Sequence, residues 1–315
     1  MGRPVVVRRV PRWVWVLIIG IAMWLMTAAV AIGTHNQIIV PETLLLGGFV
    51  VPTALLFWIV DELGPGDADR GGPRPTTALD PTRVLAAFAL GGGLGLLGSA
   101  LIEDLWTAAW PRVFFFDVAV TEEVVKLAAV WLVALPLAFY LRRDGMLLGA
   151  AVGLGFSAFE STGYAFNALV AGRHIGADVL AVQAVRGLLT PVGHALWTSL
   201  LAGALFAAAR NNRLRMSWSV LGWLILVCAL HAAWDISRGL AASAIVVADG
   251  GRVTRDLLFG TAYQSLVASQ GPTIETISAL VQIVISIAGV VLFVRYWRIA
   301  GLQARGLGQR VRAQR

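Results

Sequence analysis

The sequence predicts an all-α fold, a polytopic membrane helix bundle of about eight transmembrane helices. Three observations carry that prediction. The chain is 58% hydrophobic and 14% charged, whereas soluble globular domains lie near about 45–50% apolar and about 25% charged. Apolar stretches long enough to cross a bilayer, for which about 20 residues are needed, recur along its whole length. Arginines flank those stretches instead of collecting on one soluble domain, so the net charge of +7 reads as a topology signal and not as a nucleic-acid surface.

In chain order the stretches fall near residues 13–32, 43–60, 84–102, 118–140, 146–170, 179–209, 218–236 and 277–296. The first follows Arg3, Arg8, Arg9 and Arg12, and Ala29-Val30-Ala31 imitates a signal-peptide cleavage site. Its apolar run exceeds the roughly 7–15 residues of a signal core, so it is read as an uncleaved span. Between the second and third spans, DELGPGDADRGGPRPTTALDPTR is a Pro/Gly-rich linker. The third contains LGGGLGLLG, whose glycines let helix backbones approach. Spans four to seven carry ionisable residues. The segment of about 238–272 is the largest external piece, too short for a separate domain, and the eighth span leads into a basic tail. Cys228, the single cysteine, permits no internal disulfide.

Arginine orients these spans. Eighteen arginines lie in segments that an inside amino terminus places in the cytoplasm; the opposite side receives five, Arg112, Arg173, Arg238, Arg252 and Arg255, with Arg186 near or inside a span. The expected organisation is a basic cytoplasmic amino terminus (1–12), a single polytopic membrane domain (13–297) and a basic cytoplasmic tail (298–315). The chain is thus expected to be a multi-pass cell-membrane protein, with the bilayer as partner and both termini cytoplasmic. No internal repeat stands out, which weighs against a transporter built from two similar halves.

Seven ionisable residues interrupt the apolar spans: Glu122, Glu123 and Lys126, then Glu160, His194, His231 and Asp235. Lys126 is the chain's sole lysine. Charge at bilayer depth is costly, and such residues usually face a protein interior and act there. Glu122 and Lys126, Phe156 and Glu160, and His231 and Asp235 are each four apart, so each pair shares a helix face. With alternating helix directions, four helices deliver their polar groups to one layer in the outer half of the bilayer. Taken singly, each residue has a structural reading: an ion pair for Glu122 with Lys126, a buried hydrogen bond for His231 with Asp235, a kink for His194 after Pro191 and Gly193. Convergence at one depth favours a site.

The residue types suit water activation. A glutamate in an apolar pocket is a proton acceptor, and a lysine one turn along can hold a neighbouring glutamate ionised. Histidine can ligate a metal or donate to a developing oxyanion. Two histidines with a carboxylate also make a catalytic zinc set, here His194, His231 and Asp235, with Glu160 as an alternative carboxylate. Glutamate acting without metal stays open beside it. A proton- or cation-coupled transporter would use the same carboxylates as a relay, and a non-catalytic scaffold would bind a partner helix in the polar groove.

In order, TEEVVKL fits E-E-x-x-K, FSAFE fits F-x-x-x-E and HAAWD fits H-x-x-x-D, with His194 between the last two. The set resembles the PrsW family of intramembrane proteases, related to the CAAX prenyl endopeptidase and bacteriocin-processing superfamily. It covers about residues 80–240. The resemblance implies cleavage of a membrane-anchored regulator, typically an anti-sigma factor, near its external face. It implies Glu122 or Glu123 as the water-activating base, with Glu160, His194 and His231 completing the site. Asp235 then orients His231 or binds metal, and Lys126 tunes the glutamate pair. The chain departs from the pattern at Ser161, where an asparagine commonly follows the glutamate.

Overall fold

A computed structural model of the chain describes residues 10–63, 77–109, 114–135, 137–172, 174–259 and 262–313. Much of the expected amino-terminal segment and linker lies outside the described residues, as do Arg112 and Arg173. Among those described, the backbone forms twelve α-helices and no strand.

Helix α1 (Arg12–Thr34) stops where His35 turns left-handed, φ 55°. Asn36 then caps a short 3-10 turn by accepting from the Ile38 amide at 2.9 Å, and α2 (Val40–Leu63) packs along α1. Asp80 opens α3 (Pro81–Leu90), accepting from the Arg83 amide at 2.9 Å, with Pro81 in the first turn. The glycine run widens the next turn into π-helix, Gly91–Gly95, ahead of α4 (Leu96–Ala109). These glycines do let backbones meet: a Cβ on Gly91 would lie 2.3 Å from the Val152 carbonyl oxygen.

Helices α5 (Phe114–Ala134) and α6 (Arg142–Gly172) follow. α6 is the axis of the bundle, packed against α2, α3, α5, α7 (Ala177–Leu189) and α8 (His194–Ala207). Gly145, Gly149 and Gly153 recur every four residues and form a ribbon against α8. A Cβ on each would come 2.5, 2.4 and 2.4 Å from the carbonyl oxygens of Ala202, Thr198 and His194. Small residues at this spacing let two membrane helices touch backbone to backbone. Leu147, Leu148, Ala151, Trp197, Leu200 and Leu201 fill the core around that contact.

The predicted sixth span is not one continuous helix. α7 passes through a 3-10 turn, Thr190–Val192, and Gly193 before α8 begins at His194. Pro191 has no amide hydrogen to continue the ladder, and Gly193 sits at φ −103°, ψ −124°, which re-aims the chain. Asn211 and Asn212, at φ 50° and 53°, close a tight turn between Arg210 and Arg213. Ser217 then caps α9 (Trp218–Asp235). The segment expected as an external loop is largely helical, as α10 (Ser237–Ala248), α11 (Arg255–Phe259) and the start of α12 (Gln264–Ala313). α12 also continues into the expected tail. Ser237 and Ser278 join α10 to α12 through their hydroxyls at 2.8 Å.

Among the described residues, six segments are long and apolar enough to cross a membrane: Arg12–Thr34, Gln37–Leu63, Pro81–Trp106, Ala177–Ala207, Trp218–Asp235 and Ser269–Gln303. The chain is an integral membrane protein. α5 and α6 fall outside that set, and these two hold Glu122, Glu123, Lys126 and Glu160. The most apolar 18 residues of Ala177–Ala207 are 71% buried, those of Arg12–Thr34 and Ser269–Gln303 only 17%. Hence α8 runs through the middle, and α1 and α12 turn most of their surface outward.

Candidate active site

Glu122, Glu123 and Lys126 share one face of α5, since residues three and four apart meet on a helix. The Lys126 ammonium, fully buried, donates to Glu122 Oε2 at 3.0 Å, Glu123 Oε1 at 2.8 Å and His194 Nδ1 at 2.8 Å. An ammonium has three donors, and all are used. Phe156 lies against it, ring centroid 4.1 Å away. A planar guanidinium cannot spread its donors about one point in this way, which is why the one lysine stands here.

His194 is the first residue of α8, placed by the break at Gly193 and by the close approach of α6 at Gly153. Because its Nδ1 accepts from Lys126, its hydrogen resides on Nε2, which faces Glu160 Oε2 at 2.9 Å. Glu160 Oε2 also accepts from Arg186 Nη2 at 2.5 Å. His231, on α9, donates from Nδ1 to Glu123 Oε1 at 3.1 Å. Its Nε2 then faces Asp235 Oδ2 at 3.5 Å and Glu122 Oε2 at 3.7 Å. The rings of Trp197 and His194 pack on His231 with centroids 4.8 and 5.0 Å away.

All seven residues singled out in the sequence are thus drawn into one connected cluster. Acceptors are in surplus within it. Glu123 Oε2 and Asp235 Oδ2 are buried and accept no hydrogen bond among the described residues. Each histidine has a carboxylate on one nitrogen and turns the other toward Glu122, whose Oε2 is 3.8 Å from His194 Nδ1 and 3.7 Å from His231 Nε2. Glu122, His194 and His231 form a group whose candidate ligand atoms lie within 4.8 Å of one another. Two imidazoles, each oriented by a carboxylate, and a third carboxylate are the donor types of a zinc site; in this structure Lys126 donates to two of them, His194 Nδ1 and Glu122 Oε2, so an ion held there would replace those lysine bonds. The carboxylate of that group is Glu122, where the sequence reading put Asp235 or Glu160. Glu160 is already engaged by Arg186 and His194, and Asp235 faces the same His231 Nε2 as Glu122, at 3.5 Å, but not His194.

Ser157, Arg186, Leu189, Gly193, His194, Trp197 and Trp234 line a cleft of about 50 Å³ that reaches His194, room for one or two waters at about 30 Å³ each. Arg186 is the residue that sequence reasoning passed over. Its signal is in the sequence: an arginine near or inside an apolar span.

A helical membrane bundle that encloses carboxylates, imidazoles and one ammonium holds the side-chain types that acid–base chemistry on water requires. A family model described as PrsW family intramembrane metalloprotease matches residues 80–263. That is more than half of the chain, and the chain belongs to this family of intramembrane proteases. The match begins at the cap of α3 and extends beyond the motifs through α10 and α11. Comparisons with curated proteins and with solved structures gave no match.

Proposed function

We propose that the chain hydrolyses a peptide bond of a membrane-anchored regulatory protein, of the anti-sigma-factor kind, near the external face of the membrane. The observation that carries the reading is Glu123: fully buried, fixed through Oε1 by Lys126 and His231, and unpartnered at Oε2 among the described residues. Oε2 takes a proton from water as the water oxygen attacks the scissile carbonyl carbon. The same carboxyl returns the proton to the departing amine as the carbon–nitrogen bond breaks. Lys126 compensates the charge of the glutamate pair, and Asp235 and Glu160 orient His231 and His194.

Glu122, His194 and His231 are the residues that would hold a zinc-type ion, which when bound supplies Lewis acidity and makes water a better nucleophile at neutral pH. The test is incubation of detergent-purified protein with single-span candidate substrates, with and without a chelator, alongside elemental analysis. Loss of cleavage on chelation, and lowered zinc content in His231→Ala, are expected. Full activity of metal-free protein would remove the metal from this scheme and leave Glu123 as sole activator.

Eight crossings, with α5 and α6 as the two beyond the apolar six, place the amino-terminal part of α5, the start of α8 and the end of α9 toward the outer face, and both termini inside. Single cysteines at Gly250 and Asn212, in a Cys228→Ala background, should label from outside and inside respectively. Reversed labelling would put the site in the inner half.

A further inference from the structure

We propose that the substrate reaches the cluster as α4 swings away from α5, and that the face of α4 bearing Ser99 and Glu103 binds the unwound stretch of its membrane segment. The proposal rests on the hydrolytic reading of the cluster. The cleft beside His194 offers about 50 Å³, whereas pockets for organic ligands hold about 300–1,000 Å³. A polypeptide therefore enters only if a wall of the cluster moves. Lys126, Glu160, His194 and His231 tie α5, α6, α8 and α9 together, and Arg186 and Gln183 fasten α7. Among the described residues α4 makes no side-chain hydrogen bond or ion pair, and it packs mainly on α5 and lightly on α6. Its attachment below is firm and flexible in turn. Arg83 Nη1 anchors α3 by donating to the Val133 carbonyl at 3.0 Å, and a Cβ on Gly91 or Gly92 would collide with Val152 or Phe159. Gly93, in the same π-turn, has nothing within 4 Å of where a Cβ would stand. Such turns interrupt the regular ladder and are frequent at functional sites.

The two faces of α4 differ. Leu97, Leu101 and Leu105 are exposed. On the inward face Gly95 lies against Phe156, the ring that covers Lys126. One turn on stands Ser99, 1% exposed, and one turn further Glu103, whose carboxyl feels the charges of Glu122, Glu160, Lys126 and His231. Ser99 Oγ and Glu103 Oε1 are buried and have no hydrogen-bond partner among the described residues. Unpaired polar atoms at bilayer depth are costly, so the closed position of α4 is opposed there. A substrate segment has to lose its helix at the bond to be cut, because in a helix that carbonyl is tied into the ladder. Each amide so released in lipid needs an acceptor. Ser99 and Glu103 offer two, about 6 Å apart along α4, close to the roughly 6.6 Å between alternate residues of an extended chain.

A Cβ on Gly98 would lie 3.3 Å from Val125 Cγ1 of α5, close enough for a disulfide between Gly98→Cys and Val125→Cys. In a Cys228→Ala background, oxidation of that pair should stop cleavage of a single-span substrate, and reductant should restore it. A control bond between Gly20→Cys and Val50→Cys joins α1 to α2, where a Cβ on Gly20 would lie 3.4 Å from Val50 Cβ; it should leave cleavage at the wild-type rate. Ser99→Ala and Glu103→Leu should each raise KM by about 2–10-fold, the worth of one hydrogen bond, with kcat little changed. Neither should lower the melting temperature, since each removes a buried atom that has no partner. Spin labels at Leu105→Cys and Val170→Cys, on α4 and α6, carry the test if the α4–α5 bond does not form, and they should report a second, longer distance beside the closed one. Undiminished cleavage with α4 bonded to α5, unchanged KM in both folded variants, or a single spin-label distance would overturn the proposal. A wild type that cleaves nothing would remove the protease reading and leave the distance measurement standing as the test of the moving wall.

Discussion

Two buried polar assemblies in this bundle make opposite use of their hydrogen bonds. On the α1–α2–α7 side, Gln183 donates both amide hydrogens, to the carbonyls of Thr43 at 3.1 Å and Leu44 at 2.9 Å, and accepts from Trp24 Nε1 at 2.9 Å. Every group is neutral and the donors are spent, so the assembly ties three helices together and has nothing left over for a substrate. In the α5–α6–α8–α9 cluster the donors of Lys126 are likewise spent, but buried acceptors remain unused at Glu123 and Asp235. Unused acceptors at bilayer depth are costly, and they are what water, a metal ion or a transferring proton would occupy. Burial of polar atoms alone therefore does not mark a site; surplus acceptors do.

Three substitutions break or sharpen that contrast. Glu123→Gln should have the largest effect, lowering cleavage by about 10²–10⁴-fold as the proton acceptor is lost, while the near-isosteric amide keeps the melting temperature close to wild type. If turnover survives, Glu122 is the base and the roles of the pair are exchanged. Asp235→Asn comes next. It removes the carboxylate behind His231 Nε2 and should reduce kcat by about 10–100-fold, with lower zinc content by elemental analysis. An effect below about twofold, inside the scatter of steady-state assays and far short of that range, would class Asp235 with the structural groups. Gln183→Leu should change kcat least, because nothing in its assembly faces the cluster. Its cost should appear in stability instead, about 1–3 kcal/mol for carbonyls and an indole left without their partner, read from unfolding in mixed detergent. A large loss of kcat in a stable Gln183→Leu protein would erase the distinction between the two assemblies.

Much of the cluster was legible in the primary structure because a membrane makes the signal sharp. In an apolar solvent an ionisable residue has to be paired or functional, so Glu122, Glu123, Lys126, Glu160, His194, His231 and Asp235 stand out against their spans without any structure. Helical spacing also places Glu122 with Lys126 and His231 with Asp235, since partners four apart on one helix need no tertiary information. Arg186 was less legible, because arginine is common at span ends and its depth depends on where α7 stops. That end is set by Pro191 and Gly193, which read as a kink in an otherwise continuous span.

Composition and periodicity by themselves determined the all-helical membrane fold, the residues of the polar layer and their pairing within each helix, because these follow from transfer to lipid and from the period of the helix. The tertiary structure decided the pairings between helices: His231 with Glu123, His194 with Lys126 and Glu160, Glu160 with Arg186. It also groups Glu122 with the two histidines, where the sequence reading set Asp235 or Glu160. Those choices depend on the rotation and separation of helices packed side by side. Here they are set by the backbone contact along Gly145, Gly149 and Gly153 and by the break ahead of His194, and a shift of a few ångströms in either would hand the same seven side chains different partners.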